Sequence, residues 1–270
     1  MATETNRNQL FNNYLDIVVK EGLSRSKRYL TFYLNFLFQD ISFAGKSMLD
    51  IGGGSGLYSF FAAVRGAKHV VCLEPEMVGS TRGTLKKFKQ LSASLSLSNV
   101  SLQPVAFQEF DPDNQTFDII LLHNSINHLD EQACIKLQYD DDARKRYELI
   151  FQKLSKIAAP RAKLIITDCS RHNFFALLGI RNPFAPTIEW HKHQSPEFWS
   201  NMLSDYGFIN PKIRWGLDVE AYFSSFSGLR KRGRLFRNRF ASYFLTSYFL
   251  LVTDKTASED LLRKWGACMH

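Results

Sequence analysis

Met48-Leu49-Asp50-Ile51-Gly52-Gly53-Gly54-Ser55-Gly56 decides how the chain is read. Lys46 to Ile51 has the pattern of a short buried strand carrying an acid near its end. Leu57 to Arg65 follows as an apolar helix with Gly66 placed to close it. Between the two lies a turn with glycines at 52, 54 and 56. Glycine permits the positive φ of a tight turn and lets a ligand approach bare backbone. The helix behind it offers free N–H groups and a partial positive charge at its N-terminus. This combination is a cradle for a nucleotide or a carboxylate.

Spacing narrows the choice. A dinucleotide-binding turn requires G-x-G-x-x-G, and its third glycine falls on Leu57, so that pattern fails. Acid-x-G-x-G-x-G is met in full by Asp50, Gly52, Gly54 and Gly56. In this form the chain resembles the class I S-adenosylmethionine-dependent methyltransferases. The resemblance implies S-adenosyl-L-methionine as cofactor, with S-adenosyl-L-homocysteine as product. A second motif agrees with it. His69 to Pro75 reads as a buried strand containing Glu74, about twenty residues beyond the glycines, where a carboxylate meets ribose hydroxyls in Rossmann-like sites.

The chain has 270 residues, 45% of them hydrophobic, enough for one large domain with a full core. No apolar run reaches membrane-spanning length, and Met1 to Gln9 is too polar for a signal peptide. Cys72, Cys134, Cys169 and Cys268 show no C-x-x-C spacing. Cys72 and Cys169 sit in or beside apolar strand runs and read as core residues; a reduced, cytoplasmic protein without a metal cluster is expected. Net charge is +8, concentrated in Arg230, Lys231, Arg232, Arg234, Arg237 and Arg239. That excess points either to a solvated helix face or to an anionic partner.

Periodicity gives two helices over Asn8 to Phe38, breaking near Gly22, with Ser24 and Ser26 as available caps. The resemblance makes residues 1–45 a helical cap over the cofactor, with Tyr14 and Tyr33 as core aromatics or acceptor-site residues. Met77 to Leu91 reads as a basic helix, Ser92 to Ser98 as a loop and Val100 to Gln103 as a strand. The family often places an acid after the third strand, near the adenine. Here that position falls near Ala106 and Phe107, a departure that assigns the adenine to Phe107 and Gln108.

Phe117 to Leu122 is the fourth strand, running into His123, Asn124 and a turn that ends at His128 and Asp130. Ligands of open α/β sheets sit beyond strand carboxyl ends, so His123 and Asn124 are expected at the cofactor and His128 at the reactive methyl. The segment lacks the Pro-Pro-aromatic signature of enzymes that methylate base nitrogens, so no nucleic acid partner is expected. A charged helix ended by Pro160 leads to a fifth strand, Lys163 to Asp168. Residues 171–193 fit no regular element; their aromatic, proline and histidine content reads as an acceptor-site wall or a packed surface loop. Ser195-Pro196 starts a helix stopped by Gly207, Phe208 to Trp215 is a strand, and Tyr248 to Val252 is the last.

The expected architecture is an α/β doubly wound, mostly parallel sheet. It comprises a cap at 1–45, a core at 46–254 and a tail at 255–270. The order 3-2-1-4-5-7-6, with strand seven antiparallel, is what the resemblance implies.

Methyl transfer from a sulfonium is an in-line displacement, so positioning and desolvation dominate. A base is needed only for a protonated acceptor, and histidine suits that task. By position His128 leads and His193 follows. Asp168, Asn173, Trp190 and His191 are the candidate acceptor contacts, Asp168 as the partner of a substrate amine or of a histidine. The expected activity is methylation of an oxygen or nitrogen on a small molecule, with specialised metabolism as one setting. Two readings stay open beside it. One is action at a membrane surface or on a carrier-bound acyl group, docked through Arg230 to Arg239; the other is a non-catalytic S-adenosylmethionine-binding protein.

Overall fold

The computed structural model describes residues 4–76, 83–216 and 238–257. They fall into two compact units, one holding the described residues up to Phe110 and the other those from Asp111 onward. The expected basic run from Arg230 to Arg237 and the tail beyond residue 257 lie outside the described residues.

In the first unit the N-terminal region forms α1 (Glu4–Lys20) and α2 (Lys27–Phe38). Gly22, at φ 69°, turns the chain between them, and Ser26 caps α2 by accepting from the Tyr29 amide at 3.1 Å. Then come β1 (Ser47–Ile51), α3 (Leu57–Val64), β2 (His69–Leu73), α4 (Thr84–Leu95) and β3 (Val100–Gln103). β1 and β2 are near-continuous apolar runs, as parallel strands covered on both faces must be. Every residue of α3 from Tyr58 to Val64 is buried. Its Phe61 ring lies 5.3 Å from Phe38 and 5.6 Å from Phe43.

The fourth helix corrects the expectation for this region. α4 begins at Thr84, and it runs through Ser92 and Ser94, expected to be loop, to Leu95. Phe88, Leu91 and Leu95 keep helical spacing on its buried face, which outweighs the weak helix propensity of the serines. Ser96 stops it at φ 50°.

The second unit contains β4 (Phe117–His123), α5 (Glu131–Lys136), α6 (Asp141–Ile157), β5 (Ala158–Cys169), α7 (Phe174–Leu177), α8 (Pro196–Ser204), β6 (Phe208–Trp215), α9 (Arg239–Tyr243) and β7 (Tyr248–Lys255). Its core centres on the fully buried Trp199, 5.3 Å from Tyr147 and 6.0 Å from Phe151 between ring centroids. Helix starts follow their caps: Asp140 accepts from the amides of Asp142 and Ala143, and Ser195 accepts from Phe198 ahead of Pro196.

Pro160 does not end α6 directly. The helix stops at Ile157 and β5 starts at Ala158, so the proline lies inside the strand. Between the Phe117–Ala158 and Ile119–Lys163 pairs β4 advances two residues and β5 five. The surplus is a bulge holding Pro160 and Arg161 (φ 63°), where a missing N–H costs no ladder bond.

The seven strands make one sheet in the order β3-β2-β1-β4-β5-β7-β6. The pairs β1–β2, β2–β3 and β4–β5 are parallel, whereas β7 is antiparallel to both β5 and β6. This is the architecture the resemblance implies. Among the described residues, no helix is long and apolar enough to cross a membrane.

Candidate active site

The glycine turn after β1 is built in the first unit. Gly52, Gly54 and Gly56 sit at φ 71°, 56° and 78°, conformations that L side chains rarely adopt. A Cβ on Gly53 would fall 2.5 Å from the Cys72 Sγ, and one on Gly56 would fall 2.5 Å from the Phe88 ring. The turn is therefore held to bare backbone from both sides.

Glu74, buried at the end of β2, ties this turn down. Its Oε2 accepts from the Gly54 amide at 2.8 Å and its Oε1 from the Glu76 amide at 3.0 Å. Each carboxylate oxygen has a second lone pair to offer, so the capacity to accept two hydroxyls of a ribose remains. Asp50, fully buried, accepts from the Ser59 hydroxyl at 2.7 Å through Oδ2, while its Oδ1 has no hydrogen-bond partner. Burial pushes its carboxyl up to about 7; the Ser59 bond works against that rise and the nearby Glu74 charge adds to it. A buried acceptor left without a donor beside three positive-φ glycines fits a ligand that donates hydrogen bonds, as S-adenosylmethionine does through its amine and ribose hydroxyls.

Of the two residues assigned to adenine, Phe107 is buried and Gln108 exposed. Tyr14 is a core residue: it is fully buried, and its hydroxyl donates to the Leu57 carbonyl at 2.9 Å. Tyr33 is likewise buried, its ring 6.0 Å from Tyr29 and 6.3 Å from Tyr58. Packing accounts for both as core aromatics.

In the second unit the tips of β4 and β5 carry the polar groups. Burial drives the His123 imidazole down to about 4, so it stays neutral at working pH. Asn124, at φ 52°, is fixed by its neighbours. Its Oδ1 accepts from Tyr248 Oη at 2.8 Å and from Thr167 Oγ1 at 3.2 Å. Sequence reading missed these two partners. Tyr248 opens β7, which lies beside β5 only after the sheet is assembled, and no local signal links it to Asn124.

The central pair of this unit is Asp168 with His193. Asp168 Oδ1 lies 2.7 Å from His193 Nδ1 and also accepts from the Cys169 amide at 2.7 Å, whereas its buried Oδ2 has no partner. Proline-rich sequence around His193 gives no hint of rigidity, yet the segment is clamped. Lys192 pairs with Glu131 at 2.9 Å and its carbonyl accepts from Cys134 Sγ. Gln194 donates to the Cys134 carbonyl at 2.6 Å and accepts from Gln138 and Arg171.

His128, which leads by position in the sequence, is placed differently. Its side chain is 53% exposed and its Nδ1 faces Glu131 at 3.2 Å, so a carboxylate on α5 holds it at the surface. Asn173 lines a cavity wall and is held there by structural bonds. It is buried, its Nδ2 donates to the carbonyls of Tyr243 and Leu245 and to Ser247 Oγ, and its Oδ1 caps α7 at Phe175. That side chain is spent on structure. Asn173, Trp190 and His191 line a cavity of about 570 Å³, along with Arg171, His172, Ile188 and Tyr243.

A family model for a methyltransferase domain matches residues 23–211, well over half of the chain. Among curated proteins, the chain is 29% identical over 99 residues to the protein N-terminal and lysine N-methyltransferase efm7 of Schizosaccharomyces pombe, covering 34% of this chain and 39% of that protein. It is 25% identical over 100 residues to protein arginine N-methyltransferase 6 of Danio rerio, covering 37% and 29%. The chain therefore spans less than half the length of these relatives. In fold it is similar to geranyl diphosphate C-methyltransferase from Streptomyces coelicolor A3(2), with a TM-score of 0.55 at 15% identity over 82% of this chain and 78% of that one. The matched family, the sheet order and the glycine turn with its two buried carboxylates agree: this chain belongs to the methyltransferase-domain family and carries a class I S-adenosylmethionine-dependent methyltransferase domain.

Proposed function

We propose that the acceptor is a small molecule methylated on an oxygen or a nitrogen, and that His193, oriented by Asp168, removes the proton from that atom. The observation that carries this reading is the 2.7 Å Asp168–His193 contact at the tip of β5, with the second Asp168 oxygen buried and unpartnered. A carboxylate on Nδ1 selects the tautomer that leaves the Nε2 lone pair for an incoming proton. The unpartnered Oδ2 is suited to accept a hydrogen bond from an acceptor hydroxyl or amine. When bound, S-adenosylmethionine supplies the electrophilic methyl group.

A cavity walled by residues that flank the pair in sequence supports a small acceptor. About 570 Å³ lies within the usual range for small-molecule sites. Its wall uses Arg171 and His172, which follow Asp168 closely in sequence, and Trp190 and His191, which precede His193. Trp190 and Ile188 supply apolar surface that would exclude water from the nucleophile.

Replacement of His193 tests the assignment. With an acceptor found by transfer of labelled methyl, His193→Ala should lower kcat by about 10²–10⁴-fold and abolish the acidic limb of its pH profile. Cofactor affinity measured by calorimetry should not change, because Glu74 and the glycine turn are untouched. Asp168→Asn should produce a comparable loss through the wrong tautomer. If His193→Ala keeps kcat within about threefold of the parent with the same pH profile, far short of a general base's contribution, the base is another group or none.

A further inference from the structure

Six of the eight large apolar side chains exposed among the described residues lie on two short segments of the second unit. Leu177, Leu178, Ile180 and Phe184 come from α7 and the connection after it, and Phe240 and Phe244 from α9 and its end. Phe240 is 75% exposed and Leu177 76%. The two segments join through ring contacts. Phe240 meets Phe244 at 5.0 Å, Phe244 meets Phe174 at 5.0 Å, Phe174 meets Phe175 at 5.5 Å, and Phe175 meets Phe184 at 6.2 Å. Side chains of this size scattered singly need no explanation, but a contiguous ridge of them does.

The sequence of the two ridge segments carries bases and no acid. From Arg171 to Ile188 the sequence contains two arginines and no acid. From Asn238 to Thr253 it again contains no acid, and Arg239 is its base. Arg239 sits next to Phe240 in α9 and stays 66% exposed although it pairs with Glu197 at 3.3 Å. Apolar side chains flanked by acid-free basic sequence match a surface that offers acyl chains beneath anionic headgroups. An acidic protein would satisfy the bases but gives no reason for bulky rings to stand in water.

We propose that the ridge of Leu177, Leu178, Ile180, Phe184, Phe240 and Phe244 seats this protein on an anionic lipid bilayer. The docking is independent of which group acts as base. Leu177 and Ile180 also line the 570 Å³ cavity, so the seated face and the cavity wall share residues.

Flotation of the full chain with phosphatidylcholine vesicles, with and without phosphatidylglycerol, tests the proposal. The protein should float with the phosphatidylglycerol vesicles at low salt and far less with phosphatidylcholine alone. Phe184→Ser combined with Phe240→Ser should weaken partitioning about tenfold or more, with thermal melting and cofactor affinity unchanged. Arg239→Gln should weaken it about fivefold at low salt and little at high salt. Three results would overturn the proposal. They are protein that stays in the soluble fraction with anionic vesicles; a double serine variant that binds them as well as the parent, which leaves charge alone as the cause; and a dimer in sedimentation that the same variant dissociates, which means a second copy covers the ridge.

Discussion

Glu74 gives one lone pair of Oε2 to the glycine turn and one of Oε1 to the Glu76 amide and keeps the others, so a single side chain shapes the cradle and retains acceptors for a ligand. Glu74→Ala should cost cofactor binding about 1–3 kcal/mol, read by calorimetry; unchanged affinity would remove Glu74 from the ribose. Asp50 makes a separate prediction through its pKa. Burial pushes its carboxyl up to about 7 when folded, against an ordinary value of 3.8, so between those pH values the folded state holds a proton that the unfolded chain has lost. Stability of the cofactor-free protein should therefore fall as pH rises through that window, by up to about 4 kcal/mol. Asp50→Asn removes the ionisation while its amide oxygen can still accept from Ser59. It should melt above the parent at pH 8 but not at pH 4, on the order of the reference carboxyl value. Equal melting shifts at both pH values would show that Asp50 ionises freely in its buried site.

At the scale of elements, legibility followed periodicity. β1, α3, β2 and β6 were readable because apolar runs and glycine stops fixed them locally; β6 falls at Phe208–Trp215, as read from the sequence. α4 was misjudged because Ser92, Ala93 and Ser94 look like loop, while the spacing of Phe88, Leu91 and Leu95 that carries the helix spans them. Pro160 misled for a different reason, since a bulge inside β5 absorbs it and no single-residue rule announces a bulge. The glycine turn itself can be tested as an element. Gly56→Ala places a methyl 2.5 Å from the Phe88 ring at φ 78°, and that ring is already 4.9 Å from Phe60. Ring displacement and backbone strain together should destabilise the protein by about 1–3 kcal/mol and weaken the cofactor. A denaturation midpoint equal to the parent's would mean α4 yields freely, and the close packing argued for the turn would be wrong.

At the scale of the molecule, the sheet order was legible only through a resemblance, because strand neighbours are set by long-range pairing that periodicity does not encode. The site was legible in parts. Asp50, Glu74 and Asp168 stood out as acids at strand ends, and each lies at or beside the end of β1, β2 or β5. The choice between His128 and His193 was not legible, since it depends on Glu131 holding one ring and Asp168 the other across 25 residues of sequence. The aromatic ridge escaped notice for a similar reason: Phe184 and Phe240 are neighbours only through Phe174, Phe175 and Phe244. The central claim, a small protonated acceptor beside the Asp168–His193 pair, is tested most directly by letting the enzyme transfer labelled methyl into a whole-cell extract split into small molecules and proteins. The account predicts label in the small-molecule fraction, on an oxygen or nitrogen, and its near disappearance with His193→Ala. Label held in the protein fraction, undiminished by that substitution, would contradict it.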